Sequence, residues 1–172
     1  MKKYIFPLLA FLTAIVVLLN RCTLNKQPEQ NNVYQQFLKH KELIQTITDY
    51  MVDTGYVNIH LSVDSKTMKV DADGTMSQGL VEIEISDDAV FSAVQQLFES
   101  KAYIDIDKHG NTIIFLQWAN VHDIGCGIAY STNHIDYPSV EYCTELVPLS
   151  EPGWYYFVYD FNQWRVNKSK GR

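Results

Sequence analysis

Hydrophobic positions in the middle of the chain recur first with a helical period and then with a period of two. Between Val33 and Met51 they lie three, four or seven residues apart, which predicts an amphipathic helix ending before Asp53. From Tyr56 to Val63 apolar and polar residues alternate, which predicts a half-buried strand.

The same alternation continues to residue 161. Further strands are predicted at Thr67 to Val70, Leu80 to Ile85, Tyr103 to Asp107, Thr112 to Trp118, Gly125 to Ser131, Glu141 to Leu149 and Trp154 to Phe161. A second amphipathic helix begins at Ser86, Asp87 and Asp88, which suit a helix N-terminus. Because the connections are short, we predict an α+β fold, with two amphipathic helices packed on a largely antiparallel sheet of about eight strands.

The N-terminus differs from the rest, because Tyr4 to Leu19 carries no charge and follows Lys2 and Lys3. Its length lies between that of a signal-peptide core and that of a spanning helix. The residues after it fit a cleavage site poorly, so we predict an uncleaved transmembrane signal anchor. A lipoprotein-like leader with lipid on Cys22 is one alternative, although Asn20 and Arg21 are not small uncharged residues. An apolar helix packed into the fold is another.

These patterns divide the chain into four parts. Residues 1–22 are the leader, 23–32 a polar linker, 33–161 a single α+β domain and 162–172 a polar, frayed tail. The basic start places the N-terminus in the cytoplasm and the domain outside it, as a single-pass protein of the cell membrane. After Cys22 the chain has 11 basic and 20 acidic residues, a net charge of −9. That charge argues against nucleic-acid binding.

Two cysteines, Cys126 and Cys143, lie on the sixth and seventh predicted strands. A hairpin centred between His134 and Ile135 would place them opposite each other, where a disulfide forms in an oxidising compartment. The alternative is two buried free thiols. A catalytic interpretation, a small cysteine-dependent hydrolase, would use Cys126 or Cys143 as nucleophile and His122 as base.

No cofactor or metal site is predicted. The five histidines have no metal-ligand spacing, and the acidic loops after Asp71 and Asp105 lack the ligands of an EF-hand. The chain also has no glycine-rich loop of the kind that holds phosphates.

Aromatic residues dominate the last strand, GWYYFVYDF. Trp154 and Tyr156 point one way and Tyr155, Phe157 and Tyr159 the other. One interpretation is a core face and a face half-covered by loops. The other is an exposed binding surface of Trp154, Tyr156 and Trp164, with Trp118 on a neighbouring strand and Tyr137 on a loop at its rim. We therefore predict a membrane-tethered, extracytoplasmic and non-catalytic binding module, whose ligand is a protein or another cell-envelope component.

Overall fold

The computed structural model describes residues 27–61, 66–71, 79–133 and 135–170. The helices in these ranges are α1 (Gln30–Lys39), α2 (Lys41–Asp53), α3 (Asp88–Glu99) and α4 (Phe161–Ser169). The strands are β1 (Asn58–Leu61), β2 (Thr67–Asp71), β3 (Val81–Glu84), β4 (Asp105–His109), β5 (Thr112–Ala119), β6 (Ile124–Ser131), β7 (Cys143–Pro148) and β8 (Trp154–Asp160). The predicted α+β class is confirmed, as is its antiparallel sheet.

All eight strands form one sheet in the order β3-β2-β1-β4-β5-β6-β8-β7, and every neighbouring pair is antiparallel. Strands that follow each other in the chain are also neighbours in the sheet, with two exceptions: β2 and β1 lie between β3 and β4, and β8 lies between β6 and β7. The tight turn at Gly153, whose φ is 81°, joins β7 to β8. The β6–β7 connection is long enough to carry the chain past the place next to β6. β7 therefore lies one strand position further out, and the chain then turns back so that β8 fills the place between β6 and β7.

The predicted β6–β7 hairpin is therefore wrong, and with it the direct pairing of Cys126 and Cys143. Both thiols are free. Strands two places apart in a sheet are separated by about 9.5 Å, whereas the Cα atoms of a disulfide lie about 4.4–6.8 Å apart. The intervening strand is the physical reason why this bridge does not form.

Helices α1, α2 and α3 pack their apolar sides on one face of the sheet. The predicted helix from Val33 to Met51 is two helices, because the backbone of His40 leaves the helical conformation at φ −111° and ψ 15°. After this break α2 packs beside α3, whereas α1 lies against β6 and β8. Asp87 caps α3 by accepting hydrogen bonds from the backbone N–H groups of Ala89 and Val90.

Trp154 lies at the centre of an aromatic cluster under α1. Its ring centroid is 4.9 Å from that of Phe37 and 4.8 Å from that of Tyr130. Trp154 is 4% exposed and Tyr156 is 3% exposed. The prediction that these two residues lie on an exposed surface is wrong, because their side of β8 is the side that α1 covers.

The C-terminal segment forms α4, so the prediction of a frayed tail from residue 162 is wrong up to Ser169. The Asp160 carboxylate caps the helix by accepting a hydrogen bond from the backbone N–H of Gln163 at 2.8 Å. The helix is held to the sheet through the rings of Phe161 and Trp164, which both contact the Tyr142 ring.

The predicted leader, 1–22, with its lipidation candidate Cys22, lies outside the described residues, as do linker residues 23–26. The rest of the predicted linker is described, and α1 begins within it at Gln30. None of the helices in the described ranges is both long enough and apolar enough to cross a bilayer.

Candidate functional site

The sheet face opposite α1, α2 and α3 contains a cavity of about 750 Å³, which we call the open-face pocket. The strands supply Asp105, Asp107 and His109 from β4, Ile114 and Leu116 from β5, and Phe157 and Tyr159 from β8. Loops and α4 supply Asp123, Ser139, Val140, Glu141, Tyr142 and Phe161. The pocket therefore has a floor of strand residues and a roof made by the β6–β7 connection.

Small residues occupy the pocket-side face of β6. Gly127 and Ala129 lie opposite Phe157 and Tyr155 of β8 on this face of the sheet. A Cβ atom at Gly125 would lie 2.5 Å from the ring of Tyr159, so the ring rests directly on the glycine backbone. A larger residue at this position would displace Tyr159.

The acidic end of the pocket brings together His60, Asp105 and Asp107. His60 on β1 lies opposite Asp107 on β4, and its Nδ1 atom is 2.8 Å from Asp107 Oδ1 and 3.4 Å from Asp105 Oδ1. The two aspartates are two residues apart on one strand, so both point to this face. Their ligand atoms and that of His60 all lie within 4.8 Å of one another, which is compatible with holding a metal ion.

Burial and the neighbouring Asp107 carboxylate raise the pKa of Asp105 to about 6, although the nearby His60 and the backbone N–H of Ile106 oppose the shift. A hydrogen bond with Asp107 acts in the same direction as the burial. The carboxyl group of Asp105 therefore retains a proton to a higher pH than an ordinary aspartate does. The pair resists holding two uncompensated negative charges, and a bound cation would relieve that repulsion.

The roof is anchored to the sheet at several points. The backbone N–H of Ser139 donates a hydrogen bond to Thr112 Oγ1 at 2.8 Å, and the N–H of Asp160 donates to the Tyr142 carbonyl oxygen at 3.1 Å. The ring of Tyr137, which is 73% exposed, meets the ring of Tyr155 edge-on at 5.7 Å. These contacts connect the roof to β5 and β8.

Rings close the other end of the pocket. Tyr142 contacts Phe161 at 4.9 Å and Trp164 at 5.1 Å between ring centroids. Tyr142 and Asp123, which both line the pocket, have positive φ angles of 55° and 58°. Such angles cost about 1–3 kcal/mol in residues other than glycine and concentrate at functional sites.

The lining is negatively charged. Asp105, Asp107, Asp123 and Glu141 contribute carboxylates, whereas no lysine or arginine is among the lining residues that the structure describes. Burial raises the pKa of the Tyr159 hydroxyl, and the charges of Asp123 and Asp105 raise it further. Tyr159 therefore lies within the field of acidic residues from two different parts of the lining.

The cysteines are not placed as a nucleophile would be. Cys126 is fully buried on the helix-covered face, and burial raises its thiol pKa to about 12. Burial also raises the pKa of the half-buried Cys143. His122 is exposed in the loop before β6, and no hydrogen bond in the described part of the chain joins its ring to either thiol. Reactive cysteines have lowered pKa values, whereas the pKa values of both these thiols are raised.

The sequence-predicted binding residues are divided between the two faces. Trp154 and Tyr156 are in the helix-covered core, and Trp118 packs against that core. Tyr137 lies on the roof loop and Trp164 beside the aromatic end of the pocket. Sequence reasoning considered the loop after Asp105 only as an EF-hand and did not select Asp107 or Tyr159 as site residues, although alternation places the two aspartates on one face of β4. That the protein has no metal site stays a prediction.

Comparison with known proteins gives no match among family models, curated proteins or solved structures.

Proposed function

We propose that this protein is a non-catalytic binding module whose ligand, a protein segment or another component of the cell envelope, enters the open-face pocket. The observation that supports this proposal most directly is a roofed cavity of about 750 Å³ that combines carboxylates with apolar and aromatic side chains. Ligand sites in proteins have this size and this mixture of apolar surface with few polar groups.

Two further observations support binding rather than catalysis. Cys126 is fully buried among the residues under the helices, and the raised pKa values of both thiols disfavour the thiolate that a hydrolase needs. The pocket has an apolar floor, and two of its lining residues, Asp123 and Tyr142, have positive φ angles. Because such angles in residues other than glycine concentrate at functional sites, they support ligand binding at this pocket.

We also propose, from the sequence alone, that the leader 1–22 tethers the domain to the cell membrane and places it outside the cytoplasm. Fractionation and protease protection of the full chain test this part. Recovery in the membrane fraction, with the domain digested only when protease reaches the extracytoplasmic side, is the expected result. A freely soluble cytosolic protein would contradict it.

Site-specific photocrosslinking of the full chain tests the pocket. With p-benzoylphenylalanine in place of Tyr142 in the roof, we expect a discrete adduct in membranes. The same probe in place of Val52, which is 41% exposed on α2, is the matched control and should give no such adduct. Adding Leu116→Trp to the Tyr142 probe chain fills the floor and should remove the adduct. Equal adducts at both positions, or an adduct that survives Leu116→Trp, would refute a pocket ligand.

A further inference from the structure

The charge and the ring composition of the open-face pocket restrict the chemistry of its ligand beyond what the proposed function states. Asp105, Asp107, Asp123 and Glu141 line one cavity. Within the described residues, the only lining side chain that is able to become positive is His109, which is exposed. An anionic ligand would meet uncompensated repulsion here, whereas a cation would not.

The carboxylates at the acidic end are poorly neutralised by the protein itself. Asp105 and Asp107 share one imidazole, that of His60, at 3.4 Å and 2.8 Å. Lys69, the cross-strand neighbour of His60 on β2, is exposed. A ligand cation entering from the pocket side would supply the charge that these two carboxylates lack.

Two rings of α4 at the other end already face cations of the same helix, and one of them, Phe161, lines the pocket. The Lys168 ammonium lies 4.7 Å from the centroid of the Trp164 ring, and the Arg165 guanidinium lies 6.0 Å from that of Phe161. The fully buried Phe157 stacks on the half-buried Tyr159 at 6.5 Å between ring centroids, so Tyr159 is the ring of this pair that a ligand can reach. Aromatic faces attract ammonium and guanidinium groups, and the attraction increases when water is excluded.

The size and the apolar floor indicate what kind of cation fits. A metal ion would use only the three ligand groups at the acidic end and would leave the half-buried Ile114 and Leu116 without a ligand contact. We propose that the open-face pocket binds an organic cation, an ammonium or guanidinium group attached to an apolar body. This inference rests on the proposed function, because it assigns a ligand class to the same pocket.

Three matched small probes test it on the full chain, in buffer with EDTA. We expect phenethylammonium to bind at least tenfold more tightly than the neutral 2-phenylethanol, and 3-phenylpropionate not to bind, as measured by calorimetry and ligand-observed NMR. Asp107→Asn, which keeps the side-chain shape, should weaken phenethylammonium binding about tenfold. Glu99→Gln, a change of an exposed residue at the end of α3, should leave it unchanged.

Two capped dipeptides separate the sources of such a cation. If acetyl-Phe-Lys-amide binds more tightly than phenethylammonium, and acetyl-Phe-norleucine-amide does not, the cation is a protein side chain. If the free amine binds more tightly than the lysine peptide, the cation is a small amine. Either result supports the inference.

Equal affinity for phenethylammonium and 2-phenylethanol would overturn the cation inference and leave a pocket for apolar ligands. Preference for the carboxylate, or no binding of any probe, would overturn it as well. The Tyr142 photocrosslink distinguishes a failure of the cation inference from a failure of the pocket proposal. If the adduct persists, only the ligand class is wrong; if it is absent, the pocket proposal fails too.

Discussion

Replacing Asp105 with asparagine should stabilise the protein at neutral pH, because the ionised form of Asp105 is disfavoured in the folded state. Its pKa rises from 3.8 to about 6, and the largest cause is burial, followed by the charge of Asp107. Two pKa units correspond to about 3 kcal/mol. The Asp105 side chain is 35% exposed, so solvent screening reduces the figure to about 1 kcal/mol.

The direction in which the free energy of unfolding changes with pH follows from proton binding. Between pH 4 and pH 6 the folded state retains a proton on Asp105 that the unfolded state has lost. The free energy of unfolding of the wild type therefore decreases as pH rises through this window. Asparagine resembles the protonated carboxyl in shape and cannot ionise, so Asp105→Asn lacks this decrease. We expect the two proteins to be equally stable near pH 4 and the variant to be about 1 kcal/mol more stable at pH 7.5.

Urea unfolding followed by tryptophan fluorescence at both pH values measures the difference. Glu99→Gln is the control and should change the free energy of unfolding by only a few tenths of a kcal/mol, equally at both pH values. A variant that is less stable than the wild type at pH 7.5, or whose advantage is the same at pH 4, would refute the reasoning about Asp105.

Three more outcomes are expected. Gly125→Ala should lower the free energy of unfolding by about 1–3 kcal/mol by urea unfolding, because its Cβ would lie 2.5 Å from the Tyr159 ring; an unchanged value would mean that the ring moves freely. Asp87→Ala should cost about 1 kcal/mol in the same assay, since it removes the cap of α3, and a neutral effect would contradict that role. In iodoacetamide labelling read by mass spectrometry, Cys126 should react far more slowly than Cys143 in the native protein and at a similar rate in urea; fast native labelling of Cys126 would show that its strand opens.

The periodicity of the sequence predicts the strands and α3 to within a few residues, because alternation and helical spacing are local properties. It does not determine which side of a two-faced strand the helices cover. Both faces of β8 carry rings, so the pattern of Trp154 and Tyr156 against Tyr155 and Phe157 suits either orientation. Their burial is decided by the position of α1, which is a tertiary property.

The acidic end of the pocket was beyond local reasoning for a similar reason. His60 and Asp107 are far apart in the chain, and only the β1–β4 pairing makes them neighbours. The order of β6, β8 and β7 depends likewise on the long loop between β6 and β7. A hairpin of β6 and β7 would agree equally well with the alternation and the turn residues of the sequence.

The position of β8 imposes an order on biosynthesis. A ribosome delivers β7 before β8, yet β8 is the strand through which β7 joins the sheet. Until the final strand emerges, β6 remains an unpaired edge and β7 has no partner, a condition that favours aggregation or capture by chaperones. A nonsense mutation before Trp154 would therefore remove β8, leave β7 without a partner strand and remove the aromatic end of the open-face pocket.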